Sequence, residues 1–193
     1  YTDDSTIKYG KAVDVISDLG IVDGYANGAF NPSNTLTRGA AAKIICNLRL
    51  GPTAAAALGA TAAPFSDVPA NHTFAGYIAY CSEQGIINGY GDGTFKPAAT
   101  VTGYQFLKML LGALGYDAEQ EKFTGSNWTV RVAALAIENK LTDGNEEFVG
   151  SKALTREEAC LYAFNTLTAR TVEYTNGTNV STSDGTTVTV NAQ

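Results

Sequence analysis

The chain has 193 residues, of which 45% are hydrophobic, so it is long enough and apolar enough to bury a core. The formal net charge is −6, and the 13 lysines and arginines form no basic run, which argues against a nucleic-acid partner. No stretch approaches the ~20 consecutive apolar residues of a membrane-spanning helix. The first residues do not form a signal peptide, so we interpret the chain as a mature or trimmed part of a larger protein.

A glycine-rich segment occurs twice in the first half of the chain. Residues 19–32 read Leu-Gly-Ile-Val-Asp-Gly-Tyr-Ala-Asn-Gly-Ala-Phe-Asn-Pro, and residues 84–97 read Gln-Gly-Ile-Ile-Asn-Gly-Tyr-Gly-Asp-Gly-Thr-Phe-Lys-Pro. The offset of 65 residues continues from this loop to Thr37 and Thr102, so the two copies align without a gap. A shorter third copy covers 140–158. Self-similarity of this kind indicates tandem repeats.

A helix is predicted before each of these loops, because apolar residues recur there at helical spacing. The three segments are 12–19, 77–81 and 132–137. The first two helices run into Gly20 and Gly85, where a left-handed C-terminal cap is expected, whereas the third has Lys140 in that place.

A second helix is predicted after each loop, where an apolar residue is followed by Thr37, Thr102 or Thr155. Thr102 with Gln105, and Thr155 with Glu158, fit the capping box, whereas Thr37 keeps only the cap. Each repeat therefore reads helix, glycine-rich loop, helix. A unit of that size cannot bury both of its faces alone, so the three copies are expected to pack on one another.

Two segments lie outside the repeats. Residues 51–64 are low in charge and rich in small residues, and predict a connector with a short helix at 53–58. Residues 170–193 are rich in Thr, Asn, Ser, Gly and Val and nearly alternate at 186–190. They predict either a flexible linker or the first strand of a following β domain, and we favour the strand.

The three cysteines, Cys46, Cys81 and Cys160, lie far apart in helix-like apolar segments. We interpret them as buried free thiols, although an odd count leaves room for one disulfide. With one histidine, no serine elbow and no close Cys and His pair, the chain shows no machinery for nucleophilic catalysis, and we expect neither an enzyme nor a cofactor. We also expect no metal, because a calcium loop needs more oxygen donors than Asp92 can assemble.

The second repeat carries the most specific string. Phe-Ser-Asp-Val-Pro at 65–69 is followed by a helix, by the loop at 84–97 and by Val-Thr at 101–102. This string resembles the S-layer homology repeat. The family's closing motif, Thr-Arg-Ala-Glu, appears as Thr-Arg-Gly-Ala at 37–40 and as Thr-Arg-Glu-Glu at 155–158.

The resemblance covers roughly residues 1–169 and implies a mostly α fold. Three helix-loop-helix repeats, at 1–50, 65–116 and 117–169, would pack as a pseudo-threefold, three-pronged bundle, followed by a short β-like C-terminal tail. Members of the family bind secondary cell-wall polysaccharides, typically with ketal-linked pyruvate, in grooves between prongs. The resemblance therefore implies non-covalent anchoring of a secreted protein to the cell wall or S-layer of a bacterium, expected to be Gram-positive, with a C-terminal cargo domain. The alternative is a protein-interaction or S-layer assembly module that binds no glycan.

The resemblance also implies a set of ligand-binding residues. Arg38 and Arg156 match the family arginine that holds the anionic sugar, and each stands beside a helix N-terminus, where an anion is favoured. The other candidates are two glycines that let backbone amides approach a ligand and three aromatic residues that lie against a sugar ring: Gly24, Gly89, Tyr25, Tyr90 and Trp128.

Structural alternatives stand beside these assignments. Each arginine could pair with a nearby carboxylate, and the loop glycines could serve only as turn formers. We interpret Lys43 and Lys108, which are equivalent under the 65-residue offset, as a solvated helix face. The second repeat has Gly103 in place of the arginine, so we expect a weak or closed groove there and one or two working grooves in all.

Overall fold

The structure, a computed structural model, describes residues 1–59, 63–174, 180–181 and 187–188. Within these residues it has a 3-10 helix, seven α helices and two short strands, which confirms the predicted mostly α class. In chain order the elements are the 3-10 helix Asp4–Thr6, α1 Gly10–Asp18, α2 Arg38–Leu50, α3 Pro52–Ala56, α4 Ala75–Glu83, α5 Gly103–Ala113, α6 Trp128–Glu138, α7 Arg156–Thr166, β1 Val180–Ser181 and β2 Thr187–Val188. No described helix is both long and apolar enough to cross a bilayer.

The helices α2, α5 and α7 begin at the predicted threonine caps. The hydroxyls of Thr37, Thr102 and Thr155 each accept a hydrogen bond from the backbone N–H three residues later. The two predicted capping boxes, with Gln105 and Glu158, are confirmed. The start of each second helix is thus set by its local sequence.

The helices α1 and α4 run into left-handed glycines, as predicted, and α6 also runs into a left-handed residue, Lys140. The φ angles are +68° at Gly20, +67° at Gly85 and 57° at Lys140. Glycine adopts this conformation without a steric cost, whereas Lys140 must bring a Cβ into it. The third unit therefore keeps the turn of the first two without their glycine.

A closed ring of backbone hydrogen bonds joins the three units, which we define as the helix pairs α1 and α2, α4 and α5, and α6 and α7. The N–H of Leu36 donates to the carbonyl of Leu154 at 2.8 Å, Leu154 to Val101 at 2.9 Å, and Val101 to Leu36 at 3.0 Å. All three residues are buried. Because each unit donates to one neighbour and accepts from the other, the units lie around a pseudo-threefold axis.

Each prong of the bundle combines helices from two different units. Helix α2 packs against α4, α5 against α6, and α7 against α1, while α5 also contacts α2 and α7 near the axis. The first helix of the chain therefore packs on the last helix of the third unit. No unit buries its apolar faces alone, in agreement with the expectation for a repeat of this size.

The cysteines are buried and free, as predicted. The thiols of Cys46 on α2 and Cys81 on α4 lie 3.6 Å apart, where the two helices cross within one prong. The hydrogen bond to Cys46 and burial raise the pKa of Cys81, and burial raises the pKa of Cys160 to about 12. Protonated buried thiols act as small apolar side chains.

The connector contains the short helix α3, which spans Pro52–Ala56 and so begins and ends slightly earlier than the predicted 53–58. Residues 60–62 of the connector lie outside the described residues. In the tail, β1 and β2 pair antiparallel, with Val180 opposite Val188. The predicted strand at 186–190 overlaps β2, and its other residues lie outside the described part of the chain.

Candidate ligand-binding grooves

Three junctions form where the N-terminus of one unit's second helix meets the loop of the next unit. In the first junction, the N–H groups of Arg38 and Gly39 on α2 donate to the carbonyls of Ala99 and Pro97, both at 2.9 Å. The second junction joins the start of α7 to the loop at 23–34 in the same way. The third joins the start of α5 to the loop at 143–152. These bonds satisfy helix N–H groups that have no partner within their own helix.

Arg38 clamps the loop of the second unit in the first junction. Its Nε donates to the carbonyl of Phe95 at 2.9 Å, and its Nη2 donates to the carbonyl of Asn88 at 3.0 Å. The guanidinium lies 5.1 Å from the ring centroid of Tyr90 and 4.4 Å from that of Phe95. Burial lowers the pKa of Arg38, but a guanidinium remains charged at neutral pH.

Arg156 makes the same clamp in the second junction. Its Nε donates to the carbonyl of Phe30 at 2.9 Å, and its Nη2 donates to the carbonyl of Asp23 at 2.8 Å. The guanidinium lies 4.9 Å from the ring centroid of Tyr25. Among the described residues neither Arg156 nor Arg38 forms an ion pair, so the expected alternative of a carboxylate partner does not describe them.

The first junction contains a groove of about 200 Å³, which we call the first groove. Four of the seven predicted site residues line it: Arg38, Gly89, Tyr90 and Trp128. They come from three different units, because Arg38 begins α2, the loop belongs to the second unit, and Trp128 begins α6. The structure thus brings together residues that are 90 positions apart in the sequence.

Lys108 also lines the first groove, and sequence reasoning missed it by placing it on a solvated helix face. It is half-buried, its Nζ lies 5.6 Å from the ring centroid of Trp128, and burial lowers its pKa. Within the described residues it has no carboxylate partner at ion-pair distance. The signal in the sequence was Asn88, which is neutral where the first repeat has Asp23.

The second junction differs from the first in its charge. Lys43, the equivalent of Lys108, places its Nζ 2.8 Å from the Oδ2 of Asp23. Tyr25 is 45% exposed, compared with 41% for Tyr90, so the two tyrosines present similar surfaces. The second junction therefore has the same arginine hydrogen bonds and the same aromatic ring as the first, but its lysine, Lys43, is paired with a carboxylate.

The third junction has Gly103 in place of the arginine, and a Cβ at this position would meet the ring of Phe148 at 2.8 Å. It contains an open pocket of about 560 Å³, so the groove expected to be weak or closed is not closed. Glu147, Glu157 and Glu158 line the pocket together with two lysines. This excess of carboxylates makes the pocket unfavourable for an anion, and its weakness as an anion site stays a prediction.

The glycines at 24 and 89 are explained by packing within the loop. The ring of Tyr1 lies against Gly24 and the ring of Phe65 lies against Gly89, so that a Cβ at either position would overlap the ring. The turns themselves depend on Gly28 and Gly93, whose φ angles are +79° and +80°. A direct role of Gly24 or Gly89 in approaching a ligand stays a prediction.

These features define a tandem-repeat module that presents grooves between its units. The S-layer homology domain family matches residues 1–42 and 64–107, which cover most of the first two units. These two segments are therefore S-layer homology repeats. The third unit repeats the helix pair, the threonine cap and the backbone ring, although the family match does not include it.

Three relatives illustrate the settings in which similar segments occur. The chain is 30% identical over 135 residues to the "Middle cell wall protein" of Brevibacillus brevis, covering 70% of this chain and 13% of that protein. It is 36% identical over 107 residues to the "Surface layer protein" of Brevibacillus choshinensis, covering 55% and 10%. It is 39% identical over 83 residues to the "Cellulosome-anchoring protein" of Acetivibrio thermocellus, covering 43% and 18%. The matching segment is thus a small part of each relative.

Proposed function

We propose that this chain anchors a surface protein non-covalently to a bacterial cell wall by binding an anionic wall polysaccharide. The relatives named for the cell wall, the surface layer and anchoring support this role. The polymer would be a secondary cell-wall polysaccharide, with pyruvate ketals as the anionic groups. The bacterium would be Gram-positive, the cargo would follow the third unit, and the chain itself would catalyse no reaction.

The observation that carries this proposal is that the first groove combines aromatic rings with two cations, Arg38 and Lys108, that have no carboxylate at ion-pair distance among the described residues. Lys108 is half-buried, so its charge is less screened than that of a surface lysine and attracts a carboxylate more strongly. Trp128 and Tyr90 offer ring faces that can cover the apolar face of a sugar. Arg38 adds a second positive charge and holds the loop that carries Tyr90.

The size of the first groove limits what it can hold. Its volume of about 200 Å³ is below the ~300 Å³ at which pockets for drug-sized ligands begin, so it would hold a single sugar unit. One such contact would be weak. A repeating polymer raises the effective concentration of the next sugar, so even a weak groove would retain the protein on the wall.

The proposal is tested by co-sedimentation with purified cell walls, before and after the secondary polysaccharide has been extracted. The informative variant is Lys108→Met, which removes the charge while keeping most of the side-chain volume. Lys122→Met is the matched control, because Lys122 is exposed and lies outside the groove. We expect wild type and the control to sediment with intact walls only, and Lys108→Met to remain mostly in solution.

Two results would overturn parts of this proposal. Sedimentation of Lys108→Met at the wild-type level would remove the first groove from the function. Failure of the wild type to bind intact walls would favour the alternative, a protein-interaction or S-layer assembly module. Val130 and Ile137 support that alternative, since these apolar residues of α6 are 67% and 70% exposed.

A further inference from the structure

The first and second junctions are built alike but differ at several loop positions, and one of these positions faces the neighbouring lysine. The backbone carbonyls of Asn88 and Asp23 accept the same hydrogen bond from Arg38 and Arg156, at 3.0 and 2.8 Å. The arginine therefore binds only the backbone carbonyl at this position, so its hydrogen bond does not depend on which side chain stands there. An amide occupies the position in one junction and a carboxylate occupies it in the other.

The side chain at this position decides whether the neighbouring lysine is already paired. The Oδ2 of Asp23 lies 2.8 Å from the Nζ of Lys43, and the side chains are 70% and 34% exposed respectively. Asn88 carries no charge, and Lys108 instead lies over Trp128. Among the described residues, neither Arg38 nor Lys108 has a carboxylate at ion-pair distance in the first junction, whereas Asp23 pairs with Lys43 in the second.

Resting on the proposed function, we propose that this loop position selects which groove accepts an anionic sugar. Asn88 leaves Lys108 available to an anionic sugar in the first groove. The ion pair between Asp23 and Lys43 excludes the anionic sugar from the second junction. An anion entering the second junction must displace the carboxylate from Lys43 and then lie beside it. The chain therefore has one anion-accepting groove, although two of its junctions carry the family arginine.

The exclusion is electrostatic and therefore limited in size. Asp23 is mostly exposed, so water and salt screen its charge, and its removal is expected to raise the affinity of the second junction roughly threefold or more. The first residue of α4 is the small, buried Ala75, whereas α6 begins with Trp128, which lines the first groove. A site opened there would bind more weakly than the first groove.

The test is a pair of opposite substitutions in the full chain, Asp23→Asn and Asn88→Asp. The probe is the 4,6-pyruvate ketal of a methyl hexoside, titrated by calorimetry, with the uncharged parent glycoside as the comparison. Glu138→Gln is the charge-matched control, because Glu138 is an exposed residue at the far end of α6. Thermal unfolding of each variant checks that the clamp, which uses only the backbone at these positions, is intact.

We expect wild type and Glu138→Gln to bind about one probe per chain. Asp23→Asn should gain a second, weaker site, and Asn88→Asp should lose affinity by roughly threefold or more. Wild-type affinity and stoichiometry in both loop variants would overturn this inference and leave the proposed function standing. A wild type that binds neither probe nor intact walls would overturn the proposed function itself, and this inference with it.

Discussion

Replacement of Arg38 with alanine should weaken the whole fold as well as any ligand binding. The substitution removes two hydrogen bonds from a charged donor to the carbonyls of Phe95 and Asn88, together with the stacking on Tyr90. Hydrogen bonds to charged groups contribute about 1.5–3 kcal/mol each. Because the site is only half-buried and water can reach the carbonyls, we expect a loss of about 2–4 kcal/mol in the free energy of unfolding.

The expected loss can be measured by thermal unfolding followed by circular dichroism. For a chain of 150–250 residues, 1 kcal/mol corresponds to about 2–4 °C in Tm, so Arg38→Ala should lower Tm by about 4–16 °C. Arg156→Ala should behave in the same way, because its two bonds are equivalent. A Tm within about 2 °C of wild type for both variants would refute the clamp, since stacking alone is worth only about 0.5–1 kcal/mol at exposed sites.

This structural role changes how the binding site should be tested. A double substitution of Arg38 and Arg156 would lose wall binding through loosened junctions even if no ligand touched either side chain. Lys108 makes no described hydrogen bond to another unit and is the cleaner substitution.

Three further substitutions test other parts of the account. Thr102→Ala removes a capping box and should lower the free energy of unfolding in urea by about 1 kcal/mol. Gly39→Ala should destabilise the protein by about 1–3 kcal/mol in the same assay, although alanine favours helices, because its Cβ would meet the ring of Phe74 at 2.5 Å. Hydrogen bonds from the loop backbone, chiefly from Phe30, hold the pKa of Asp3 below its usual value of 3.8, so stability should fall as the pH drops below 3.8. Asp3→Asn should show a smaller fall in Tm between pH 7 and pH 3, and an unchanged pH dependence would contradict this assignment.

The helices could be predicted from the sequence because their signals are local. The threonine caps and the glycines at 20 and 85 fix where helices begin and end within a few residues of the chain. The pairing of helices into prongs could not be predicted in this way. Helical periodicity shows that α1 has an apolar face, but it does not show that this face packs on α7.

The site was predictable in its residue types but not in its geometry. The arginines were found through a motif. The groups that they bind are backbone carbonyls of another unit, and because every residue has such a carbonyl, the sequence does not identify them. Lys108 was misread because Lys43 and Lys108 look identical along their helices. The difference between them lies one loop away, at Asp23 and Asn88, and only the fold brings those residues together.

The position of the tail is consistent with an anchoring role. Helix α5 starts at the third junction and carries Lys108 to the first groove, and it ends near Leu114, whose carbonyl accepts a hydrogen bond from the N–H of Val172 at 2.7 Å. The 11 residues of α5 span about 17 Å, so the described chain leaves the bundle at the end opposite the helix N-termini that form the junctions. Under the proposed function, a polymer in the first groove and a cargo attached through the tail would therefore lie at opposite ends of the bundle, so that one would not block the other.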